Sequence, residues 1–336
     1  MSTPEDRSAA PPARGVRLPW RELPAPVRET VEGSLPSPLA GVTDVAGGFS
    51  PGGAARLQLS DGTSRFVKAT SSELNEGSHR IYRMEAGIAA ALPERVPAAR
   101  LLGNIEVDSW IVLLFEYLPG RPPRQPWQAA ELRSVLQLLA ELPGLLTPSP
   151  LPAPTAAQQF GEDLRGWRQL LAERDAGASA RSPFGERPFG DWAFGDWVDR
   201  HLDALADLEA GWEQAVAGDS LVHADLRADN LLIGEDRVWV VDWPWACLAQ
   251  PWFDLLGMLP SIVMQGGPPA ASIAAEHPVF ADADPAAVTT VLAALVGYFL
   301  RQSLQPAPPG LPTLRAFQRA QGMAALPWLI ERTGWS

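Results

Sequence analysis

The hydrophobic pattern of the chain changes period near residue 119. Upstream, alternation dominates. Ala55-Arg56-Leu57-Gln58-Leu59 and Ser64-Arg65-Phe66-Val67-Lys68 each put every second side chain on one face, with the turn signal Asp61-Gly62 between them, which predicts a β-hairpin. Arg100 to Val107 and Trp110 to Tyr117 flank Asp108-Ser109, and the second run, WIVLLFEY, is apolar enough for a central strand. Two helices are expected among these strands: a short one over Pro26 to Leu35, and one over Tyr82 to Leu92 that stops before Pro93. Pro119-Gly120-Arg121-Pro122-Pro123 then breaks the strand pattern. Beyond it the spacing is helical and predicts helices around 127–141, 157–173, 192–215, 284–304 and 312–330, while 221–242 reads as a loop held between short strands. Residues 1–19 are rich in Pro, Ala, Ser and Arg without an apolar period, which predicts a disordered leader. The expected organisation is therefore leader 1–19, β-rich N-lobe 20–118, hinge 119–126 and mainly helical C-lobe 127–336, an α+β architecture of two lobes.

Length and charge agree with that division. A 336-residue chain usually splits its core between domains, and 46% hydrophobic residues suffice to build them. The formal charge of −12 argues against a broad nucleic-acid surface, which needs clustered Lys and Arg, and fits cationic or small neutral partners. It is unevenly spread, since residues 1–150 carry 15 basic and 16 acidic side chains and residues 151–336 carry 12 and 23. The single cysteine, Cys247, excludes an internal disulfide framework and a Cys-rich zinc site. The opening MSTPEDRSAAPPARG has no apolar core of a secretory signal, and Pro260 and Gly266-Gly267-Pro268-Pro269 interrupt the uncharged stretch Leu255 to Ala275. No membrane association is expected, and a cytoplasmic location is.

Candidate chemistry begins with a compositional oddity. Of the 27 basic residues 26 are Arg, so Lys68 is the only lysine, and a compact ammonium is not interchangeable with a guanidinium. Later in the chain, His223-Ala-Asp225-Leu-Arg-Ala-Asp-Asn230 has the spacing H-x-D-x-x-x-x-N, twelve residues before Asp242. That is the catalytic-loop pattern of kinases, in which one carboxylate accepts the proton of an attacking hydroxyl while an amide oxygen and a second carboxylate hold Mg²⁺ against phosphates. Glu85, on the helix after the Lys68 strand, is placed to pair with that lysine. Gly47-Gly48-Phe49-Ser50-Pro51-Gly52-Gly53 precedes the hairpin, where a small-residue turn can offer backbone N–H groups to phosphate oxygens.

Taken together, GGFSPGGAARLQL, FVKA, YRMEAGIAAAL, LLFEYLPG, LVHADLRADNLLI, VVDWPWA and PWFDLLGML resemble the aminoglycoside phosphotransferase family, the small-molecule branch of the protein-kinase-like fold that includes choline kinases. The resemblance covers nearly all of the chain after residue 20 and implies a bilobal protein-kinase-like fold. It implies an ATP (or GTP) and Mg²⁺ dependent transfer of the γ-phosphoryl to a hydroxyl of an aminoglycoside-like, cationic or sugar substrate. By that resemblance Ser50 lies in the nucleotide-positioning loop, Lys68 contacts phosphates with Glu85 as partner, and the backbone at Glu116 and Leu118 meets the base. Asp225 is the implied catalytic base, Asn230 and Asp242 the implied metal ligands, and His223 and Asp254 the implied supports of the loop. Departures are Ala224 where the family usually has Gly, Trp243-Pro244 after the metal Asp, Ala249-Gln250-Pro251 in place of Gly-Asp-Pro, and no Ala-Pro-Glu segment, which disfavours a protein substrate. A metabolic kinase for a sugar, amino alcohol or natural product shares this chemistry. A non-catalytic nucleotide-binding scaffold is disfavoured, because such chains usually lose one of the four positions Lys68, Asp225, Asn230 and Asp242.

Other features have plainer readings. Asp196, Asp199, Asp203 and Asp207 recur on one face of an expected helix, either as a solvated face or as an acidic wall for a polyamine or aminosugar. Trp243, Trp245 and Trp252 beside Asp242 read as core packing rather than a cation cage, His79, His201 and His277 as structural or surface residues, and Cys247 as a small buried hydrophobe.

Overall fold

The computed structural model describes residues 11–49, 51–177, 189 and 192–336. The hairpin forms where the alternation places it: β3 (Gly52–Leu59) and β4 (Ser64–Ser71) pair antiparallel, with Leu57 opposite Arg65 and Ala54 opposite Lys68. Preceding them are β1 (Arg17–Leu18), α1 (Ala25–Ser34) and β2 (Leu39–Asp44), and following them α2 (Glu76–Ala91), β5 (Leu101–Val107) and β6 (Trp110–Glu116). The sheet runs β1-β3-β4-β6-β5, with β2 added on β3. WIVLLFEY is a central strand because both its faces are covered. Ile111, Leu113 and Phe115 pack under Tyr82, Ala86 and Ala89 of α2. Val112 and Leu114 face Trp20, Val27 and Val31 on the other side. Gly52 has φ +129, and a Cβ there would sit 2.1 Å from the Ala69 carbonyl oxygen, so only glycine lets β3 close onto β4.

The helix expected from Tyr82 starts two turns earlier, because the Asn75 side chain accepts from the Ser78 N–H at 2.7 Å and caps the first turn. The leader expected over 1–19 needs correcting at its end, since residues 14–18 are part of the fold. Arg17 and Leu18 pair with Gly52 and Gly53, the Arg17 guanidinium donates to the Gly47 carbonyl at 2.8 Å, and the Val16 N–H reaches Gly310 O at 2.9 Å. These are backbone-directed bonds, which leave no period in the side-chain pattern. Residues 1–10 lie outside the described residues. The Pro-rich stretch 119–126 is tied down at Arg121, which exchanges backbone hydrogen bonds with Ile233 at 3.1 and 2.7 Å.

Helices dominate from residue 129 onward. They are α3 (Ala129–Leu146), α4 (Ala156–Phe160), α5 (Gly166–Gly177), α6 (Gly195–Glu209), α7 (Trp212–Val216), α8 (Phe253–Met264), α9 (Ala270–Glu276), α10 (Pro285–Ser303) and α11 (Leu314–Thr333). The helix expected over 157–173 is two, broken after Gly161, and that over 192–215 is also two, broken at Gly211. The uncharged stretch Leu255 to Ala275 belongs to α8 and α9, with α8 buried along Leu255, Leu256, Met258, Leu259 and Ile262. Helix α10 is long and apolar enough to cross a membrane by length and composition, and more than half of it is buried among its neighbours. Fully buried Glu209 joins the packing, accepting from the Trp167 and Arg168 N–H groups at 3.1 and 3.0 Å and so satisfying the start of α5. Four short strands lie between α7 and α8: β7 (Ser220–Val222), β8 (Leu231–Ile233), β9 (Val238–Val240) and β10 (Cys247–Ala249).

Candidate active site

Strand β7, paired with β10, ends at His223, and the next three residues turn under control of Asp254 at the start of α8. The Asp254 carboxylate accepts from the His223 N–H at 2.9 Å and the Ala224 N–H at 2.7 Å. These bonds hold Ala224 at φ +65, a left-handed conformation natural to glycine and strained for alanine. The Ala-Gln-Pro sequence upstream leaves both bonds in place. His223 Nε2 faces Val241 O at 3.0 Å, and its Nδ1 accepts from the Asp225 N–H at 3.2 Å, so the proton resides on Nε2. Burial lowers this imidazole to about 4, and it stays neutral, wedged edge-on against Trp243.

Asp225 emerges from that turn into a half-buried ion pair with Arg227, whose Nε and Nη2 also hold both oxygens of Asp229 at 3.0 and 3.1 Å. Burial raises the Asp225 carboxyl to about 6, although the Arg227 guanidinium opposes the rise. Arg227 lies against the edge-to-face pair of Phe49 and Phe317, 5.6 and 5.8 Å from their centroids. Sequence reasoning passed over this arginine. The available signal was a single Arg inside Asp225-Leu-Arg-Ala-Asp229, where two carboxylates need one shared cation.

Asn230 closes a 3-10 turn and donates its amide N–H to Asp225 O at 2.8 Å, which leaves Oδ1 without a hydrogen bond among the described residues. The β8–β9 hairpin then returns the chain so that Val241 N–H bonds Asn230 O at 3.0 Å, and Asp242 follows at φ +69. Across the gap between sheet and helices, Lys68 donates to Asp242 Oδ1 at 2.6 Å and pairs with Glu85 of α2. Burial alone would depress the Lys68 ammonium, but Asp242 and Glu85 outweigh it and raise its pKa. Glu85 is pushed up to about 7 by burial, against the pull of Lys68. Asp242 is held below its ordinary value because Lys68 outweighs desolvation. Asn230 Oδ1 and the Asp242 carboxylate are hard oxygen donors, a set suited to a divalent cation whose remaining ligands are phosphate oxygens or water. No cluster of three or more His, Cys, Asp or Glu suited to a metal occurs among the described residues.

Asp225, Arg227, Asp242 and Asp254 line a cavity of about 290 Å³ between the β-rich part and the helices, and Lys68 and Asn230 stand behind Asp242 and Asp225. Asp225, Arg227 and Asp242 form one side, and aromatic rings form most of the other. The sequence-derived residues divide clearly. Lys68, Glu85, Asp225, Asn230 and Asp242 are brought together, with His223 and Asp254 beneath them. Glu116 and Leu118 lie at the end of β6 and beyond, outside the cavity walls, with Glu116 N–H on Arg100 O and Leu118 O accepting from Gly120. Ser50 lies outside the described residues, while its neighbours Gly47 and Gly48 have φ +99 and +74. The acidic stripe on α6 does not line the cavity. Asp196, Asp203 and Asp207 are exposed, Asp199 is half-buried, and Asp203 pairs with Arg174 at 2.8 Å. Of the three neighbouring tryptophans, Trp243 and Trp252 are core, and Trp245 stacks on Phe160 at the cavity. The Cys247 thiol is buried and pushed far above its ordinary pKa, which removes it as a nucleophile.

A family model for phosphotransferase enzymes matches residues 42–289. No curated protein matches the sequence. Among solved structures, a spectinomycin phosphotransferase in complex with ADP and spectinomycin aligns with TM-score 0.55 and 13% identity, over 90% of this chain and 97% of that one. An aminoglycoside phosphotransferase from Alicyclobacillus acidocaldarius gives TM-score 0.54 and 14% identity, over 87% and 91%. An amicoumacin kinase in complex with AMP-PNP, Ca²⁺ and Ami gives TM-score 0.54 and 10% identity, over 89% and 94%. At these identities the likeness establishes a protein-kinase-like fold.

Proposed function

Because the chain belongs to the phosphotransferase enzyme family, kinases that act on hydroxyl groups of small molecules, we propose that ATP or GTP is its donor and that the residues around the cavity divide the work as follows. Lys68, kept charged by Glu85 and Asp242, contacts the donor's phosphates, and Glu85 fixes its position. Asp225 accepts the proton of the attacking hydroxyl. With a carboxyl pKa of about 6 it is ionised at neutral pH yet more basic than an ordinary aspartate, which suits a general base. Arg227 compensates the charge of Asp225 and Asp229 next to the phosphate region. Asn230 and Asp242 would hold Mg²⁺, which neutralises phosphate charge when bound. Neutral His223 and the Asp254 carboxylate keep the Asp225 backbone in place from below. Glu116 and Leu118 are the backbone contacts proposed for the base.

The observation that carries this reading is a buried lysine shared by carboxylates from two separate parts of the chain, Glu85 and Asp242, of which Asp242 lines the same cavity as Asp225. Catalysis in such a site is positioning and charge neutralisation. The test is mass spectrometry of purified protein with Mg²⁺-ATP or Mg²⁺-GTP and a panel of hydroxylated acceptors, beside Asp225→Asn. Transfer by the wild type with a loss of about 10²–10⁴-fold in kcat for the variant is expected. Undiminished transfer by Asp225→Asn would refute the role given to Asp225, and absence of nucleotide binding would refute the reading as a whole.

A further inference from the structure

The acceptor side of the cavity has an unusual composition for a site that receives a polycation. Its walls are Phe160, Trp245, Phe253, Tyr298 and Phe299, and four carboxylates reach it: Asp163, Asp225, Asp242 and Asp254. Three of these are already satisfied by the protein. Asp225 is paired with Arg227, Asp242 with Lys68, and Asp254 accepts two backbone N–H groups. Asp163, in the turn between α4 and α5, has no side-chain hydrogen bond or ion pair among the described residues, and it stands exposed at the rim. One carboxylate is thus left for a cationic guest.

A second polar group points the same way. Gln318 and Gln321 both line the cavity and are both at least nine-tenths buried. Gln318 is engaged on both sides of its amide, donating to the Tyr298 hydroxyl at 3.3 Å and accepting from Arg315 at 2.8 Å. Gln321, one helical turn further along α11 and 4% exposed, has no hydrogen bond to any described residue. The Gln321 amide is not among the sealed polar atoms that lack a partner, so its open side is the cavity it lines, where water or a polar group of a ligand completes it. Aromatic walls with one free carboxylate and one free amide match a ligand with a flat apolar body, a single cationic centre and a polar edge.

From this placement we propose that the acceptor is a hydroxylated molecule with an aromatic or fused-ring body and one protonated amine, its amine on Asp163 and a polar group of the ring on Gln321. The inference rests on the phosphotransferase reading for which hydroxyl is phosphorylated, but the binding preference stands apart from turnover. A polyamine gains one carboxylate here, and its further ammonium groups meet only aromatic faces, worth about 0.5–2 kcal/mol each, or the like charge of Arg227, so its added charges cost more in lost hydration than they regain.

The test uses naphthyl- and phenyl-bearing amino alcohols, their N-acetyl derivatives, and kanamycin as the polyamine. Calorimetry in the presence of Mg²⁺-AMP-PNP gives binding, and mass spectrometry with Mg²⁺-ATP gives transfer. The aryl amino alcohols should bind at least tenfold tighter than kanamycin. Asp163→Asn should weaken them about 2- to 5-fold, as loss of an exposed ion pair does, without changing the N-acetyl series. Gln321→Leu should weaken both series, and a melting curve identifies any variant that fails to fold, leaving Asp163→Asn at the exposed rim to decide. Aryl binding with this Asp163 dependence supports the proposal even when no phosphate is transferred, in which case the phosphotransferase reading is what fails. Tighter binding of kanamycin, no binding of the aryl compounds, or indifference to Asp163→Asn overturns the proposal, and phosphorylated kanamycin would leave the phosphotransferase reading intact.

Discussion

Ala224 offers the sharpest test of how the catalytic turn is held. Its φ of +65 lies in the left-handed region, and its N–H is fixed by Asp254 Oδ1 at 2.7 Å, so the residue cannot relax without breaking that bond. An L-residue with a Cβ in this region carries roughly 1–2 kcal/mol of strain. Replacing Ala224 by Gly removes the strain but gives the unfolded chain more freedom, which costs about 0.5–1 kcal/mol. The net expectation for Ala224→Gly is a stabilisation of about 0.5–1 kcal/mol. Ala224→Val runs the other way, since a β-branched side chain tolerates this region least, and a loss of at least 2 kcal/mol is expected, of the order that strained backbone carries. Urea titrations of the three proteins, compared by midpoint at constant slope, give both differences. A Gly variant less stable than wild type by more than about 0.5 kcal/mol would refute the strain argument, because only unfolded-state entropy would then be left.

Three further outcomes follow from buried charges. Asp225 titrates at about 6 and must be ionised to take a proton, so log kcat/KM should fall by about one unit per pH unit below that value, and a profile flat to pH 5 would contradict its assignment as base. Neutral His223, at about 4, is too low to supply that limb. Lys68→Met strands Glu85 and should cost about 3–5 kcal/mol in a denaturant titration, with Lys68→Met/Glu85→Met recovering part of it, and strictly additive losses would argue against the buried pair. Glu209 has its carboxyl raised by burial from 4.5 to about 7, so the folded protein binds the extra proton between those values. Its contribution therefore falls as pH rises through this window, by roughly 3 kcal/mol in all, and is constant above it. The stability difference between wild type and Glu209→Gln should shift against the wild type from pH 4.5 to 7, and a pH-independent difference would sink the assignment.

What the sequence revealed and what it hid separate along a physical line. Alternation exposed the β3–β4 hairpin and the doubly covered β6 because strand burial writes a period of two into side-chain polarity. Lys68, Asp225, Asn230 and Asp242 were legible for another reason, since each job admits few residue types and the loop fixes their spacing. Contacts made by backbone are silent in such patterns. Residues 14–18 join the sheet and the α10–α11 connection through N–H and C=O groups, which no side-chain period reports, and the fold therefore begins before Trp20. The acidic stripe illustrates the converse: Asp196 to Asp207 share a face of α6 as the spacing requires, yet a helix face says nothing of what lies opposite, and here the cavity does not.

The residues proposed for the acceptor side were hidden most deeply, and their positions explain it. Phe160, Asp163, Trp245, Tyr298 and Gln321 come from the end of α4, the turn after it, the β9–β10 connection, α10 and α11, so no local spacing links them. Each alone has an ordinary reading, as an aromatic core residue, a surface carboxylate or a helix-face amide. Only their convergence shows that Gln318 is satisfied by Tyr298 and Arg315 while Gln321, one turn on, is not. On the proposed function the donor half of the site is constrained by phosphate chemistry and so is written in motif. On the proposed reading the acceptor half answers to its own molecule through groups such as Asp163 and Gln321 that no other side chain engages, a property that exists only once the chain has folded.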